Sequence, residues 1–270
     1  MNIPKLIYGT AWKKDETARL VELAVKSGFR AIDTACQPRH YHEKGVGDAL
    51  QSLYKQGFKR EEIFLETKFT PKDGQDINNI PYNPDDVLEK QVSDSFEVSL
   101  KNLQTSYLDS FVLHSPIFPF NHMMKVWKVM ESFYEKEKTK NIGISNCYDI
   151  RVLKALYKEA TVKPTILQNR FYKDSDYDKE IREFCKENSI TYLGFWTLTA
   201  NPHVLGSKEV INLARKYKKT QAQIFYRFLT QIGITPLNGT TSKEHMIEDL
   251  DIFSFELEND EIESIKILLD

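Results

Sequence analysis

The chain has 270 residues, 41% of them hydrophobic and 28% charged, enough apolar material for one large core or two ordinary ones. Its formal net charge of −2 gives no electrostatic reason to expect a nucleic acid or a membrane surface as partner. Three cysteines, Cys36, Cys147 and Cys185, lie far apart with no C-x-x-C, which suits a reducing compartment and excludes a zinc-ribbon pattern. No apolar run is long enough to span a bilayer, and M-N-I-P-K-L-I-Y-G lacks the order of a signal peptide, so a cytoplasmic protein is expected.

Short β-rich apolar runs alternate with longer helical stretches along the whole chain. The predicted strands, in order, are K-L-I-Y-G-T, F-R-A-I-D-T, I-F-L-E-T-K, S-F-V-L-H-S, K-N-I-G-I-S-N, P-T-I-L-Q-N, T-Y-L-G-F-W and G-I-T-P-L-N. Their near-continuous apolar character suits strands buried on both faces of a parallel sheet. Between the first two, D-E-T-A-R-L-V-E-L-A-V-K-S-G-F predicts a helix with Leu20, Leu23 and Ala24 on its apolar face and Gly28 as its stop. P-D-D-V-L-E-K-Q-V-S-D-S-F-E-V-S-L and Y-D-I-R-V-L-K-A-L-Y-K-E-A read as later helices of the same kind, and residues 69–84 read as a long loop after the third strand.

A repeating strand–helix order fits a doubly wound open sheet or a closed (β/α)8 barrel. About eight units, no G-x-G-x-x-G after the first strand and no linker favour the barrel, as a single α/β domain over residues 1–270. In such a barrel function collects where strands run into the following loops. Those positions carry Thr10, Asp33, Lys68, His114, Ser145, Asn146, Gln168, Phe195 and Asn238.

Singly, Asp33 could cap a turn, Lys68 could be solvated and His114 could be a satisfied core histidine. At three successive strand ends they point to a shared site, because an Asp–Lys pair beside a phenol or imidazole can shift its pKa towards neutrality for proton transfer.

Over essentially its whole length the chain resembles the aldo-keto reductases. The resemblance is carried by G-T-A-W, A-I-D-T-A, E-K-G-V-G-D-A-L, I-F-L-E-T-K, S-Y-L-D-S-F-V-L-H-S-P, N-I-G-I-S-N and the glutamine of I-L-Q-N. It implies reduction of aldehydes or ketones to alcohols, with hydride from NADPH or, alternatively, NADH, and a tyrosine protonating the carbonyl oxygen. Carried over, Asp33 and Lys68 are the pair coupled to that tyrosine, and His114 orients the carbonyl. Ser145, Asn146 and Gln168 then bind the nicotinamide carboxamide, Phe195 stacks on the ring, and Thr10 and Leu198 are further cofactor-binding residues. Ser145 and Asn146 could instead start a helix, Gln168 close a buried hydrogen bond, and Phe195 belong to the core.

At the adenosine end the sequence departs from the family. In T-P-L-N-G-T-T-S-K-E-H-M-I-E-D-L, Leu237 stands where a lysine is expected, His245 falls near the expected arginine, and the loop is about two residues longer. Glu248 and Asp249 match the residues near the adenine. Losing two cations weakens the case for a 2′-phosphate, but G-T-T-S, with Thr240, Thr241 and Ser242, offers hydroxyls and free N–H groups at a helix start, with Lys243 and His245 assisting, and Asn238 at the strand end is a further cofactor-binding residue. NADPH is the expected cofactor. The short segment after the last helix predicts a pocket open on that side, walled by Trp12, Phe118, Trp196 and Tyr82, and accepting aromatic or bulky carbonyls. The expected partner is a small-molecule carbonyl substrate, and the chain is expected to be a monomer.

The family's tyrosine lies five residues after the aspartate and three before a glutamate, but here two extra residues separate Asp33 from Glu43. Counting back from Glu43 lands on His40, and counting forward from Asp33 lands on Pro38. Tyr41 is nonetheless the expected acid. A cation at Lys68 stabilises the phenolate and lowers its pKa from about 10, whereas it drives a histidine at position 40 or 42 neutral. Two other functions remain in view. A metal-dependent barrel hydrolase needs several histidines or carboxylates at the strand ends, and no metal is expected here. A non-catalytic nicotinamide-binding barrel, acting as a redox-sensing or interaction subunit, needs the binding residues without the acid.

Overall fold

A computed structural model describes residues 3–269. Each of the eight predicted runs forms a strand: β1 (Ile7–Gly9), β2 (Ala31–Asp33), β3 (Phe64–Phe69), β4 (Ser110–Leu113), β5 (Ile142–Ser145), β6 (Ile166–Arg170), β7 (Thr191–Phe195) and β8 (Ile234–Asn238). All pair in parallel with their chain neighbours. The pairing of β8 with β1 (Ile7 with Leu237, Tyr8 with Asn238) closes the barrel, so the open-sheet alternative is excluded.

Eleven helices accompany the strands among the described residues: α1 (Thr17–Ser27), α2 (Glu43–Lys55), α3 (Leu88–Leu103), α4 (Phe120–Glu135), α5 (Ile150–Glu159), α6 (Lys179–Glu187), α7 (Pro202–Leu205), α8 (Lys208–Tyr217), α9 (Gln221–Gln231), α10 (Lys243–Leu250) and α11 (Asn259–Lys266). On α1 the buried stripe is Leu20, Val21, Ala24 and Val25, with Leu23 only half-buried, so the face is turned slightly from the predicted one. Gly28 ends α1 at φ +125°, a conformation side chains resist. Residues 69–84 form the expected irregular connection, apart from the end of β3 and one short 3-10 turn.

The core has two parts. Inside the barrel, Ile7, Ala31, Phe64, Val112, Ile166 and Leu193 form an apolar plug. Outside it, the alternate strand residues pack under the helices, as Leu65 and Phe69 of β3 do. On β3 this alternation leaves Phe64, Glu66 and Lys68 on the inward face, so the strand rises from an apolar floor into charge.

Two features of α2 fix the loop over the barrel mouth. Glu43, its first residue, is buried and accepts hydrogen bonds from Thr67 Oγ1 (2.6 Å), Ser99 Oγ (2.8 Å) and Asn102 Nδ2 (3.2 Å), tying the helix to β3 and α3. Gly47 meets the end of α3 so closely that a Cβ would lie 2.1 Å from the Asn102 carbonyl oxygen. The segment from β2 to α2 is therefore held at both ends.

Candidate active site

A cavity of about 820 Å³ opens where the strands meet their following loops. Asp33, Tyr41, His114, Ser145, Asn146, Gln168, Phe195 and Asn238 line it together with Leu198, Thr240, His245, Glu248 and Asp249. One space thus joins the ends of β2, β4, β5, β6, β7 and β8 to α10.

Lys68 lies beneath this lining, 1% exposed. Its Nζ donates to Asp33 Oδ1 and to the Thr34 carbonyl oxygen (2.9 Å). The ammonium is 5.6 Å from the centre of the Tyr41 ring, and the ring meets His114 edge-on at 6.0 Å. Burial alone would lower the Lys68 pKa, but Asp33, Tyr41 and Glu66 outweigh it and raise the value, so Lys68 stays a cation. His114 is pushed down to about 3 by burial and then by Lys68, and remains a neutral imidazole. Its Nδ1 is 2.6 Å from Thr70 Oγ1, which leaves Nε2 for the cavity.

Tyr41 does not behave as its position beside a lysine suggested. Its pKa is pushed up to about 12 rather than below 10. Loss of water is the largest cause, Lys68 opposes it, and Asp33 and Glu66 add to the rise. The hydroxyl therefore keeps its proton in this state. His40 lies at the rim instead, tilted on Trp12 at 4.1 Å between ring centres, with Nδ1 2.8 Å from Gln37 Oε1. Its pKa is lowered by burial and by Arg39, not by Lys68. His42 is 3.2 Å from the Lys14 carbonyl oxygen, on the far side of the loop.

At the centre of the cavity, Ser145 Oγ donates to the Gln168 carbonyl oxygen (2.6 Å), while Asn146 Nδ2 donates to the carbonyl oxygen of His114 (2.9 Å) and to Ser145 Oγ (3.2 Å). Gln168 Nε2 donates to Asp33 Oδ1 (2.9 Å) and Glu66 Oε1 (3.1 Å). Three residues of the rim, Trp12 (φ 64°), Asn146 (φ 53°) and Trp196 (φ 58°), adopt left-handed backbone. For a tryptophan this is strained, and such strain gathers at functional sites. At the other end Asn238 Nδ2 donates to Asp249, whose carboxyl burial pushes up to about 6. Asn238 Oδ1 accepts from Thr240 N (2.7 Å), and Ser242 caps α10 by accepting from His245 N (3.3 Å).

Several expected residues lie elsewhere. Tyr82 is 6% exposed, packs on Phe69 and donates its hydroxyl to the Thr70 carbonyl oxygen, so it belongs to the core rather than the pocket wall. Phe118 is 67% exposed and outside the cavity lining, because the β4–α4 loop turns it outwards. Thr10 is buried one layer down, donating to the Asp33 carbonyl oxygen. Thr241 and Ser242 also stand outside the lining. Trp12 and Trp196 do line it, 60% and 50% exposed.

Sequence reasoning missed Glu66 and Arg170. Each stands two residues along a strand from a residue it did select, Lys68 and Gln168, and period-two alternation would have found both. Arg170 lines the cavity with its guanidinium 4.1 Å from the Trp196 ring. Lys13, also on the lining, donates to the Gly239 carbonyl oxygen. Among the described residues no cluster of three or more His, Cys, Asp or Glu suits a metal ion, and no helix is long and apolar enough to cross a membrane.

A closed (β/α)8 barrel with a buried Asp–Lys pair under a tyrosine and a neutral histidine, beside an amide-and-hydroxyl cradle, is the arrangement expected of an oxidoreductase of the carbonyl–alcohol class. The sequence matches the aldo/keto reductase family over residues 5–270, and the chain belongs to that family. It is 30% identical to glyoxal reductase of Bacillus subtilis, over 94% of this chain and 84% of that protein. It is 28% identical to a methylglyoxal reductase of Salmonella typhimurium, over 97% and 88%. An aldo/keto reductase crystal structure from Brucella melitensis superposes with a TM-score of 0.83 at 29% identity, covering 99% of this chain and 95% of that one. The protein is accordingly an oxidoreductase that reduces carbonyl groups to alcohols with a nicotinamide cofactor.

Proposed function

We propose that the chain is an NADPH-dependent aldehyde reductase in which Tyr41 is the proton donor. The observation that carries this is the stack of Asp33, Lys68 and Tyr41 beside neutral His114 at the mouth of one cavity. When bound, the nicotinamide supplies the hydride. Gln168, Asn146 and Ser145 are suited to its carboxamide: Gln168 Nε2 is taken by carboxylates, so its amide oxygen is left to accept, while the Asn146 side chain lies alongside. Phe195 offers a ring face at the end of β7.

In the reaction, His114 Nε2 and the Tyr41 hydroxyl both address the carbonyl oxygen. A neutral imidazole whose Nδ1 is engaged by Thr70 can donate a hydrogen bond from Nε2 without competing as an acid. Tyr41 then gives its proton to the oxygen as negative charge develops there, and Lys68 stabilises the phenolate left behind. Asp33 holds Lys68 in place and in its charged form.

For the cofactor's far end, α10 presents the backbone N–H groups of Lys243 and Glu244 in its first turn, with the Ser242 cap and with the Lys243 and His245 side chains on its exposed face. Lys13 adds a cation at Gly239. These groups replace the missing lysine at position 237 and favour NADPH. The two exposed tryptophans at the mouth suit aldehydes with an aromatic or apolar body, and the names of the relatives add small dicarbonyls to the candidates. NADPH consumption with 4-nitrobenzaldehyde and with methylglyoxal tests the reading. Turnover of at least one, abolished in Tyr41→Phe, is expected, and no turnover of any aldehyde would overturn it.

A further inference from the structure

Glu66 lies directly under the proton-transfer groups, and the chemistry above makes no use of it. It sits on the inward face of β3 between Phe64 of the apolar plug and Lys68, and it is completely buried. Its Oε1 is 4.0 Å from Lys68 Nζ and accepts from Gln168 Nε2, the same nitrogen that donates to Asp33. Its Oε2 has no hydrogen-bond partner, and neither has Oγ of Ser110, its pairing neighbour on β4.

Two carboxyl groups thus share one ammonium in a space closed to water. With Asp33 and Lys68 both ionised the pair is neutral, and an ionised Glu66 would bury a net negative charge. The groups that face it are Asp33 from β2, Lys68 from its own strand, Ser110 from β4 and Gln168 from β6, with Tyr41 beyond Lys68. Lys68 is the only cation among them. Burial, then Asp33, outweigh Lys68 and push the Glu66 carboxyl up to about 8. A proton on Oε2 also turns an orphan acceptor into a donor for Ser110 or Asp33.

We propose that Glu66 is a positioning residue for the proton transfer, held as a neutral acid beneath the Asp33–Lys68 pair. There it leaves the charge of Lys68 to Tyr41 and keeps the Gln168 amide turned with Nε2 inwards. Glu66 neither gains nor loses a proton during turnover. The proton goes from the Tyr41 hydroxyl to the carbonyl oxygen, and the phenolate recovers one from solvent. Ionisation of Glu66 would draw on Lys68 and make the phenolate harder to form, since its charge is among those that raise the Tyr41 pKa. This role rests on the reading of the site as a carbonyl reductase, whereas the protonation state of Glu66 does not.

Two measurements on the full chain separate those dependencies. In infrared difference spectra taken as the protein without cofactor is titrated from pH 6 to 10, the wild type should lose around pH 8 the carbonyl stretch of a buried carboxylic acid that Glu66→Gln lacks, both proteins sharing the earlier loss from Asp249 near pH 6. In single-turnover NADPH oxidation with 4-nitrobenzaldehyde, the wild-type rate should fall about three- to tenfold over the same alkaline range. Glu66→Gln should stay flat, within about threefold of wild type at pH 7. A wild type without the infrared band, or a Glu66→Gln protein that keeps the band or the alkaline fall, overturns the proposal. Glu66→Thr serves in both measurements if Glu66→Gln does not fold. Absence of turnover with the infrared change intact would instead count against the reductase reading.

Discussion

The two ends of the cavity are built in opposite ways. At the β2–β4 end, the proposed chemistry rests on ionisable groups buried inside the barrel: Lys68, Asp33 and Glu66 are nearly or fully inaccessible, and strand register fixes each position. At the β8–α10 end it rests on a loop and a helix start, where His245 and Lys243 are exposed and the hydrogen bonds are local ones among Asn238, Thr240 and Ser242. Errors at the first end are costly because buried charges have no water to fall back on. Changes at the second are cheap, and the leucine at position 237 in place of the family's lysine falls there, whereas the two-residue insertion between Asp33 and Glu43 falls in the loop above the first. On the proposed reading, the buried end governs whether chemistry happens, and the exposed end governs which cofactor is preferred.

Substitutions at the buried end should accordingly have the largest effects. Lys68→Met leaves Asp33 beneath the cavity without its cation, which should cost about 3–5 kcal/mol of stability. Denaturant titration reads that loss, and an unchanged midpoint would mean the pair is not structurally coupled. Tyr41→Phe removes one hydroxyl without a charge, so the fold should be intact while kcat falls at least ~10²-fold, with cofactor affinity nearly unchanged. His40→Ala and His42→Ala, measured under the same cofactor saturation, should each retain most activity. An active Tyr41→Phe beside a dead His40→Ala would make the histidine the donor.

The pH dependence of stability is a gentler test of the same end. Glu66 is held above its ordinary carboxylate value, at about 8, so the folded state keeps a proton that the unfolded chain gives up. Its contribution is complete below about pH 4.5 and is lost as pH rises to about 8. His114 acts in the opposite sense. Depressed to about 3, it contributes above its unfolded value near 6.5, and that contribution is lost as pH falls towards 3. The two oppose each other between pH 4.5 and 6.5, so the clean window lies between 6.5 and 8. There the unfolding free energy should fall with pH by at most about 1.4 kcal/mol per unit from this group. Urea titrations of wild type and Glu66→Gln at pH 6.5 and 8 should show a smaller fall in the variant, and equal falls would exclude Glu66 as the source.

The same contrast explains what the sequence made legible. Every strand was found because a parallel barrel buries both faces, which leaves apolar runs with polar ends, and Asp33, His114, Ser145 and Gln168 stood out as such ends. Glu66 escaped notice because it lies two residues before the strand end that Lys68 marks, inside a run read as buried and apolar. Tyr82 was misjudged because a tyrosine in a Pro- and Asn-rich loop gives no sign that its hydroxyl will find the Thr70 carbonyl oxygen. The choice of Tyr41 over His40 rested on chemistry rather than counting, and the structure brings the Tyr41 ring to Lys68 and His114. The raised pKa of Tyr41 was not foreseen, because the balance between burial, Lys68 and two carboxylates depends on a third dimension that spacing does not carry.

At the exposed end the expected effects are small, which is itself a prediction. If the 2′-phosphate is held by α10's first-turn N–H groups and by side chains on its solvent face, each side chain contributes only a screened, partly hydrated contact. Lys243→Ala and His245→Ala should therefore each lower kcat/KM for NADPH by about two- to fivefold, the range of a single charge at a helix end. Their kcat/KM for NADH should be unchanged, because the adenosine ribose of NADH carries no phosphate there. Raising ionic strength from 0.05 to 0.5 M should shrink the wild-type preference for NADPH, since the Debye length over which exposed charges act falls from about 14 Å to about 4 Å. Leu237→Lys, which restores a cation beside the helix start, should increase the preference. A tenfold or greater wild-type preference for NADH would sink the NADPH assignment, and would place the α10 groups on the adenosine hydroxyls instead.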